Sequence, residues 1–272
     1  MTFNALIRSL AAPCIALTIM AGTATAQETT RKFEPYVGQS GKDVVWVPTP
    51  QNLVNRFLDM ARVTVDDYVI DLGSGDGRTV ISAAKRGVRA MGIEYNPDMV
   101  ELSRRNAATA NVSDLATFVQ GDIFESDFSK ATVITLFLLP DLNLRLRPIL
   151  LDMKPNTRVV SNTFGMGDWT PDDQIAASED CKTYCKAMLW IIPAKVAGTW
   201  TLPEGELKLE QTYQMLTGTL TSGGNSTPIT DGKMRGDRIT FTVGDKIYTG
   251  RVDGNKMEGV FAVETKWEAT RR

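Results

Sequence analysis

Apolar and polar residues follow two different rhythms along this chain, and the change falls near Val196. Ahead of it, short apolar runs alternate with stretches at helical spacing. Tyr68–Leu72, 88–94, 117–120, 132–138 and Arg158–Asn162 read as strands, with 78–85, 97–110 and 142–153 as helices among them. A further helix precedes the first strand. Leu53, Val54, Phe57, Leu58 and Ala61 form its apolar stripe, Thr49 can cap it, and Pro50 suits its first turn. Strands this short and apolar, separated by helices, predict βαβ units and a parallel sheet covered on both faces. The fold class is therefore α/β, a doubly wound sheet over residues 43–195. Beyond Val196 the period becomes two: Leu207/Leu209, Ile239/Phe241/Val243 and Val260/Val263 alternate with polar residues, with glycines between. That predicts a small C-terminal antiparallel β domain over 196–272. It would be a meander, small sheet or partial barrel with Trp200 and Trp267 in its core.

The first 42 residues belong to neither rhythm. Arg8, an apolar run over 10–20 and the small-x-small triplet Ala24-Thr25-Ala26 read as a cleavable secretory signal over 1–26, followed by a polar leader over 27–42. The run is shorter than the roughly 20 residues that span a bilayer. Export puts the chain in the periplasm or outside the cell, with no membrane association indicated once the signal is removed. The alternative is anchoring in the membrane by an uncleaved segment. Cys14 leaves with the signal. Cys181 and Cys185 remain, a pair four apart that can close a local disulfide in an oxidising compartment and stays as two thiols in a reducing one. The bridge is the expectation.

Composition removes several chemistries. With no histidine anywhere, a Ser-His-Asp triad, a His-paired cysteine and a His-bearing zinc or iron site are excluded. Two thiolates alone do not make a metal site, so no metal is expected. Thirty Lys+Arg against 32 Asp+Glu leave a net charge of -2, without the basic excess that a nucleic-acid footprint needs.

The chemistry is concentrated in Asp71-Leu72-Gly73-Ser74-Gly75-Asp76-Gly77-Arg78, directly after a strand and opening a helix. Glycines there let the backbone turn tightly and lie against a ligand, with helix N–H groups pointing outward. The spacing is G-x-G-x-G, and Arg78 stands where the dinucleotide fingerprint has its third glycine. An acid at the strand end would repel a pyrophosphate, yet it suits a ligand carrying an ammonium and a sulfonium. Glu94 ends the next strand, where a carboxylate can accept from both hydroxyls of a ribose. Asp122, after the third, could accept from an adenine amine while Ile123 packs on the ring. All three acids fall at carboxyl ends of neighbouring strands, where open α/β sheets bind ligands.

D-L-G-S-G-D-G-R, I-E-Y-N-P and Q-G-D-I-F resemble the first three motifs of class I S-adenosylmethionine-dependent methyltransferases, a Rossmann-like family, over roughly residues 43–165. The words W-V-P-T-P, L-F-L-L-P-D-L-N and S-N-T-F-G-M-G-D-W are similar to one branch, the mitochondrial lysine methyltransferases of the ATP synthase c-subunit and the adenine nucleotide translocase, with bacterial relatives. The resemblance implies S-adenosylmethionine as cofactor and N-methylation, with a protein lysine as acceptor. It implies that Asp71, Gly73, Ser74 and Gly75 hold the methionine end, Glu94 and Asn96 the ribose side, and Asp122 and Ile123 the adenine. Thr49 and Pro50, with Leu139, Pro140 and Asn143, would sit near the transferred methyl. Methyl transfer to an amine asks mainly for alignment and a neutral nucleophile, so a chain without histidine can perform it. Asn143 and Thr163 could orient the amine, Asn143 being equally a helix-start residue, and Trp46 and Trp169 are either acceptor walls or core. Two other readings stay open: an exported binding protein that keeps the nucleoside pocket without turnover, and a methyltransferase of small molecules.

Overall fold

The computed structural model describes residues 1–2, 32–176, 181–261 and 265–272. The signal expected over 1–26, its first two residues apart, lies outside the described residues, as does Val263.

The chain from Phe33 onward builds an α/β sheet and then a barrel. Helix α1 (Gln51–Met60) leads into β1 (Tyr68–Leu72), α2 (Arg78–Ala84), β2 (Arg89–Glu94), α3 (Pro97–Thr109) and β3 (Ala116–Gln120). Then come β4 (Val133–Leu136), α4 (Pro140–Leu151), β5 (Arg158–Asn162), β6 (Asp173–Ala176) and β7 (Lys186–Ile191). The sheet order is β3-β2-β1-β4-β5-β7-β6. The first five strands are parallel, and β7 returns antiparallel between β5 and β6. Every residue of β4 and all but the first of β1 and β5 are buried, as strands covered on both faces require. Leu53, Phe57 and Leu58 of α1 pack with α2 on one face, and Leu142, Leu146 and Leu150 of α4 pack on the other. Because β1 to β5 are parallel, their carboxyl ends share one rim.

Local chemistry sets the helix starts. Asn96 caps α3 by accepting from the Asp98 amide at 2.9 Å, with Pro97 in the first turn. Helix α4 begins two residues before the expected 142, because Pro140 fits its first position and Leu139 precedes it in extended conformation. The cap expected of Thr49 is not made: Pro50 occupies the cap position and no side chain caps α1. Thr49 is buried instead, and its carbonyl accepts from Arg78 Nη1 at 2.9 Å.

The second rhythm gives β8 (Gly198–Leu202), β9 (Gly205–Thr212), β10 (Met215–Ser222), β11 (Asn225–Arg235), β12 (Arg238–Val243), β13 (Lys246–Asp253), β14 (Lys256–Phe261) and β15 (Thr265–Arg271). These form a closed eight-stranded barrel, more than the sheet or partial barrel expected. Closure comes from the pairing of β15 with β8, Thr270 opposite Thr201 and Arg271 opposite Trp200. It removes the edges that an open sheet would expose. Trp200, Phe241, Tyr248 and Trp267 fill the interior. Trp169 is core, and it fastens the sheet domain to the barrel. Its indole donates to Gln214 Oε1 at 2.8 Å and its ring stacks on Tyr213 at 5.7 Å. Among the described residues no helix is long and apolar enough to cross a membrane.

Candidate active site

The loop after β1 is pinned from beneath. The amides of Gly73 and Ser74 both donate to the Ile93 carbonyl, at 2.9 and 3.1 Å, and the Gly75 carbonyl accepts from the buried Ser103 hydroxyl at 2.8 Å. Gly75 has φ +55°, and a Cβ there would lie 2.5 Å from Trp46 Nε1. Both conditions require glycine. The Ser74 side chain packs against the Cα of Gly92 in β2.

The carboxylates converge. Asp71, Glu94 and Asp122 line one crevice, together with Gly73, Ser74, Gly75, Asn96 and Ile123. Glu94 is held by two backbone donors: Oε2 accepts from Gly75 N and Oε1 from Asn96 N, each at 2.9 Å. Asp71 is buried, its Oδ1 accepting from Thr135 Oγ1 at 2.5 Å. Burial pushes its carboxyl up to about 7, against the hydroxyls of Thr135 and Thr79, which favour the ionised form. The hydrogen bond from Lys42 and the Phe124 amide hold Asp122 below the usual carboxylate range.

Lys42 was not expected. It comes from a short hairpin in which Ser40 bridges Val45 and the Gly38 and Trp46 amides bond back across, so residues 39–49 line the crevice. Its ammonium pairs with Asp122 and lies 5.0 Å from the centre of the Tyr95 ring. The expected leader over 27–42 thus contributes part of the site. Nothing in a polar stretch with two glycines signals that, because only long-range packing places Lys42 on Asp122. Thr79 and Met99 also line the crevice without having been anticipated.

The residues expected near the transferred methyl divide. Thr49 and Trp46 line the crevice, Trp46 as a wall over Gly75. Leu139 and Pro140 are exposed at the start of α4 and are not among the lining residues, whose places are taken by Phe137 and Leu142. Asn143 is fully buried and does not line the crevice. It does not cap α4: its Nδ2 donates to the carbonyls of Phe164 at 3.0 Å and Gly165 at 3.2 Å. Thr163 has φ +60°, its hydroxyl donates to Asn162 Oδ1 at 2.9 Å, and it too lies off the crevice. Both residues shape the loop after β5. Cys181 and Cys185 are joined in a disulfide. Among the described residues, no group of acids and cysteines is arranged to hold a metal ion.

Comparison with known proteins agrees with this arrangement. Residues 71–173 match the family model for the ANTKMT methyltransferase domain. A protein-lysine N-methyltransferase of Saccharolobus islandicus is 42% identical over 139 residues, which cover 50% of this chain and 86% of that protein. The human lysine N-methyltransferase of the ATP synthase c-subunit is 35% identical over 128 residues, covering 47% of this chain but only 54% of the human protein. Among solved structures, an RNA methyltransferase of Salinibacter ruber in complex with S-adenosyl-L-homocysteine is 48% identical. It superposes with a TM-score of 0.52 over 55% of this chain and 96% of that one.

Proposed function

The chain belongs to the ANTKMT family of S-adenosylmethionine-dependent methyltransferases, and from that premise we propose that it methylates the side-chain amine of a lysine in a protein. The observation that carries this reading is the convergence of Asp71, Glu94 and Asp122, at three neighbouring strand ends, on one crevice beside the Gly73–Gly75 cradle. The residues fit the cofactor. A buried Asp71 with a raised pKa suits a cationic methionine end, and Glu94, fixed by two amides, presents its remaining lone pairs to ribose hydroxyls. Asp122 and Ile123 would take the adenine, with Lys42 and the Phe124 amide each already holding one Asp122 oxygen. Bound there, S-adenosylmethionine supplies a methyl group already activated as a sulfonium. What remains for the protein is to hold that methyl and a neutral amine in line, while the 39–49 segment covers the site.

The names of the archaeal and human relatives support lysine as acceptor. The Salinibacter relative favours a second reading, an RNA acceptor. The net charge of -2 weighs against it. Radiolabelled S-adenosylmethionine, incubated with the purified chain and fractionated cell extract, separates the two. Hydrolysis of the labelled material is expected to release N-methylated lysine, and a Glu94→Ala chain to release none. Label recovered in nucleosides would favour the RNA reading. We also propose export. The signal-like residues 1–26 support it, and so does a disulfide of the kind that persists in oxidising compartments. N-terminal sequencing should find a mature chain that begins at Gln27 in the periplasmic fraction. An intact Met1 in the cytosol would contradict it.

A further inference from the structure

The rim of the sheet is divided chemically. Its β1, β2 and β3 side carries the acids Asp71, Glu94 and Asp122, whereas the adjoining β4, β5 and β7 side carries rings. Phe137 follows β4, Phe164 lies two residues beyond β5, and Tyr184 lies two before β7, which runs the opposite way and so starts at the same rim. The three rings meet. Phe137 is 5.3 Å from Tyr184 and 6.3 Å from Phe164, and Phe164 is 5.9 Å from Tyr184, centre to centre. They are not core: Phe137 and Phe164 are half-buried and Tyr184 is 39% exposed. Phe137 also lines the cofactor crevice.

This group is held by unusual backbone. Tyr184 has φ +58°, uncommon for an aromatic residue, inside the five-residue loop that the Cys181–Cys185 disulfide closes. The Thr163 amide donates to the Lys186 carbonyl at 2.7 Å, tying that loop to the one after β5. The Phe164 carbonyl accepts from Asn143 Nδ2 and, at 2.7 Å, from Ser161 Oγ. The rings pack on one another and, among the described residues, carry no cation. Lys or Arg side chains lie over Tyr68, Tyr95, Phe124, Tyr213, Phe261 and Trp200 instead.

We propose that Phe137, Phe164 and Tyr184 form the wall along which the acceptor's cationic side chain reaches the transfer point, and that Tyr184, carried there by the disulfide loop, sets the preference for an amine over a neutral chain. The proposal rests on the lysine reading above and deepens it. An alkylammonium gains from the face of an aromatic ring what an isosteric hydrocarbon does not, and its methylene stem packs on the same surface. Asn143 and Thr163 are then positioning residues that act through Phe164.

The test uses the mature chain saturated with S-adenosylhomocysteine and two probes, Nα-acetyl-lysine amide and Nα-acetyl-norleucine amide, titrated by ligand-observed NMR. The wild-type chain is expected to bind the lysine probe about three- to tenfold more tightly than the norleucine probe, the range of one partly desolvated cation–π contact. Tyr184→Ala and the Cys181→Ser/Cys185→Ser double variant should lose that preference while binding S-adenosylhomocysteine as before. Tyr184→Phe should keep it. An undiminished preference in Tyr184→Ala, or equal binding of the two probes by the wild-type chain, would overturn the proposal. An intact preference without methyl transfer to any protein would count against the lysine-methylation reading and leave the aromatic wall standing.

Discussion

Replacing Asp71 with Asn should make the ligand-free protein more stable and the cofactor site worse. Asp71 is buried at the end of β1, with Oδ1 on the Thr135 hydroxyl, and burial raises its carboxyl from 3.8 to about 7. Between those two values the folded chain keeps a proton that the unfolded chain has released. Stability therefore falls as pH rises through that window and is level above it. At about 1.4 kcal/mol per pH unit, the loss amounts to about 4 kcal/mol. An Asn at 71 still accepts from Thr135 and has nothing to titrate. Urea unfolding followed by tryptophan fluorescence should therefore find Asp71→Asn ahead of the wild-type chain by on the order of 2–4 kcal/mol at pH 8, and nearly level with it at pH 4. Titration with S-adenosylhomocysteine should show affinity lower by about tenfold or more, the cost of losing a charge-assisted hydrogen bond. Parallel stability profiles for the two chains across pH 4–8, or a variant no more stable at pH 8, would refute the argument that Asp71 is held ready for a cation.

Other outcomes follow from the same geometry. Because only the ionised Asp71 attracts a cation, cofactor affinity in the wild-type chain should rise as pH passes upward through about 7, and calorimetry in buffers of different ionisation heat should detect proton release on binding. Gly75→Ala puts a methyl group against Trp46 at a left-handed backbone position; it should cost about 1–2 kcal/mol by thermal melt and abolish detectable binding of S-adenosylhomocysteine. Trp169→Ala removes a fully buried indole between sheet and barrel, so unfolding should move by about 3–5 kcal/mol and lose its single cooperative transition. Cys181→Ser/Cys185→Ser reopens a five-residue loop and should destabilise the chain by about 2 kcal/mol in urea unfolding.

Much of the α/β half was legible because its signals are local. Short apolar runs, Pro97 at a helix start and the glycine loop all act within a few residues, and each names its element. The convergence of Asp71, Glu94 and Asp122 was legible too, since parallel strands force their carboxyl ends to one rim. What escaped depends on contacts far apart in sequence. Barrel closure needs β15 to find β8, and no period-two pattern contains that pairing. Lys42 reaches Asp122 across 80 positions, from a stretch whose composition suggested only a leader. Asn143 and Thr163 were singled out for polar chemistry near the transfer point. Their side chains are engaged in building the loop after β5, and aromatic residues occupy the rim beside them.

The most direct test of the cofactor crevice is a calorimetric titration of the mature chain with S-adenosylhomocysteine, repeated on Glu94→Ala. The geometry predicts one site per chain in the wild type and no measurable heat in the variant, at a temperature where a thermal melt shows the variant still folded. A wild-type chain that does not bind, or a Glu94→Ala chain that binds as tightly as its parent, would contradict it.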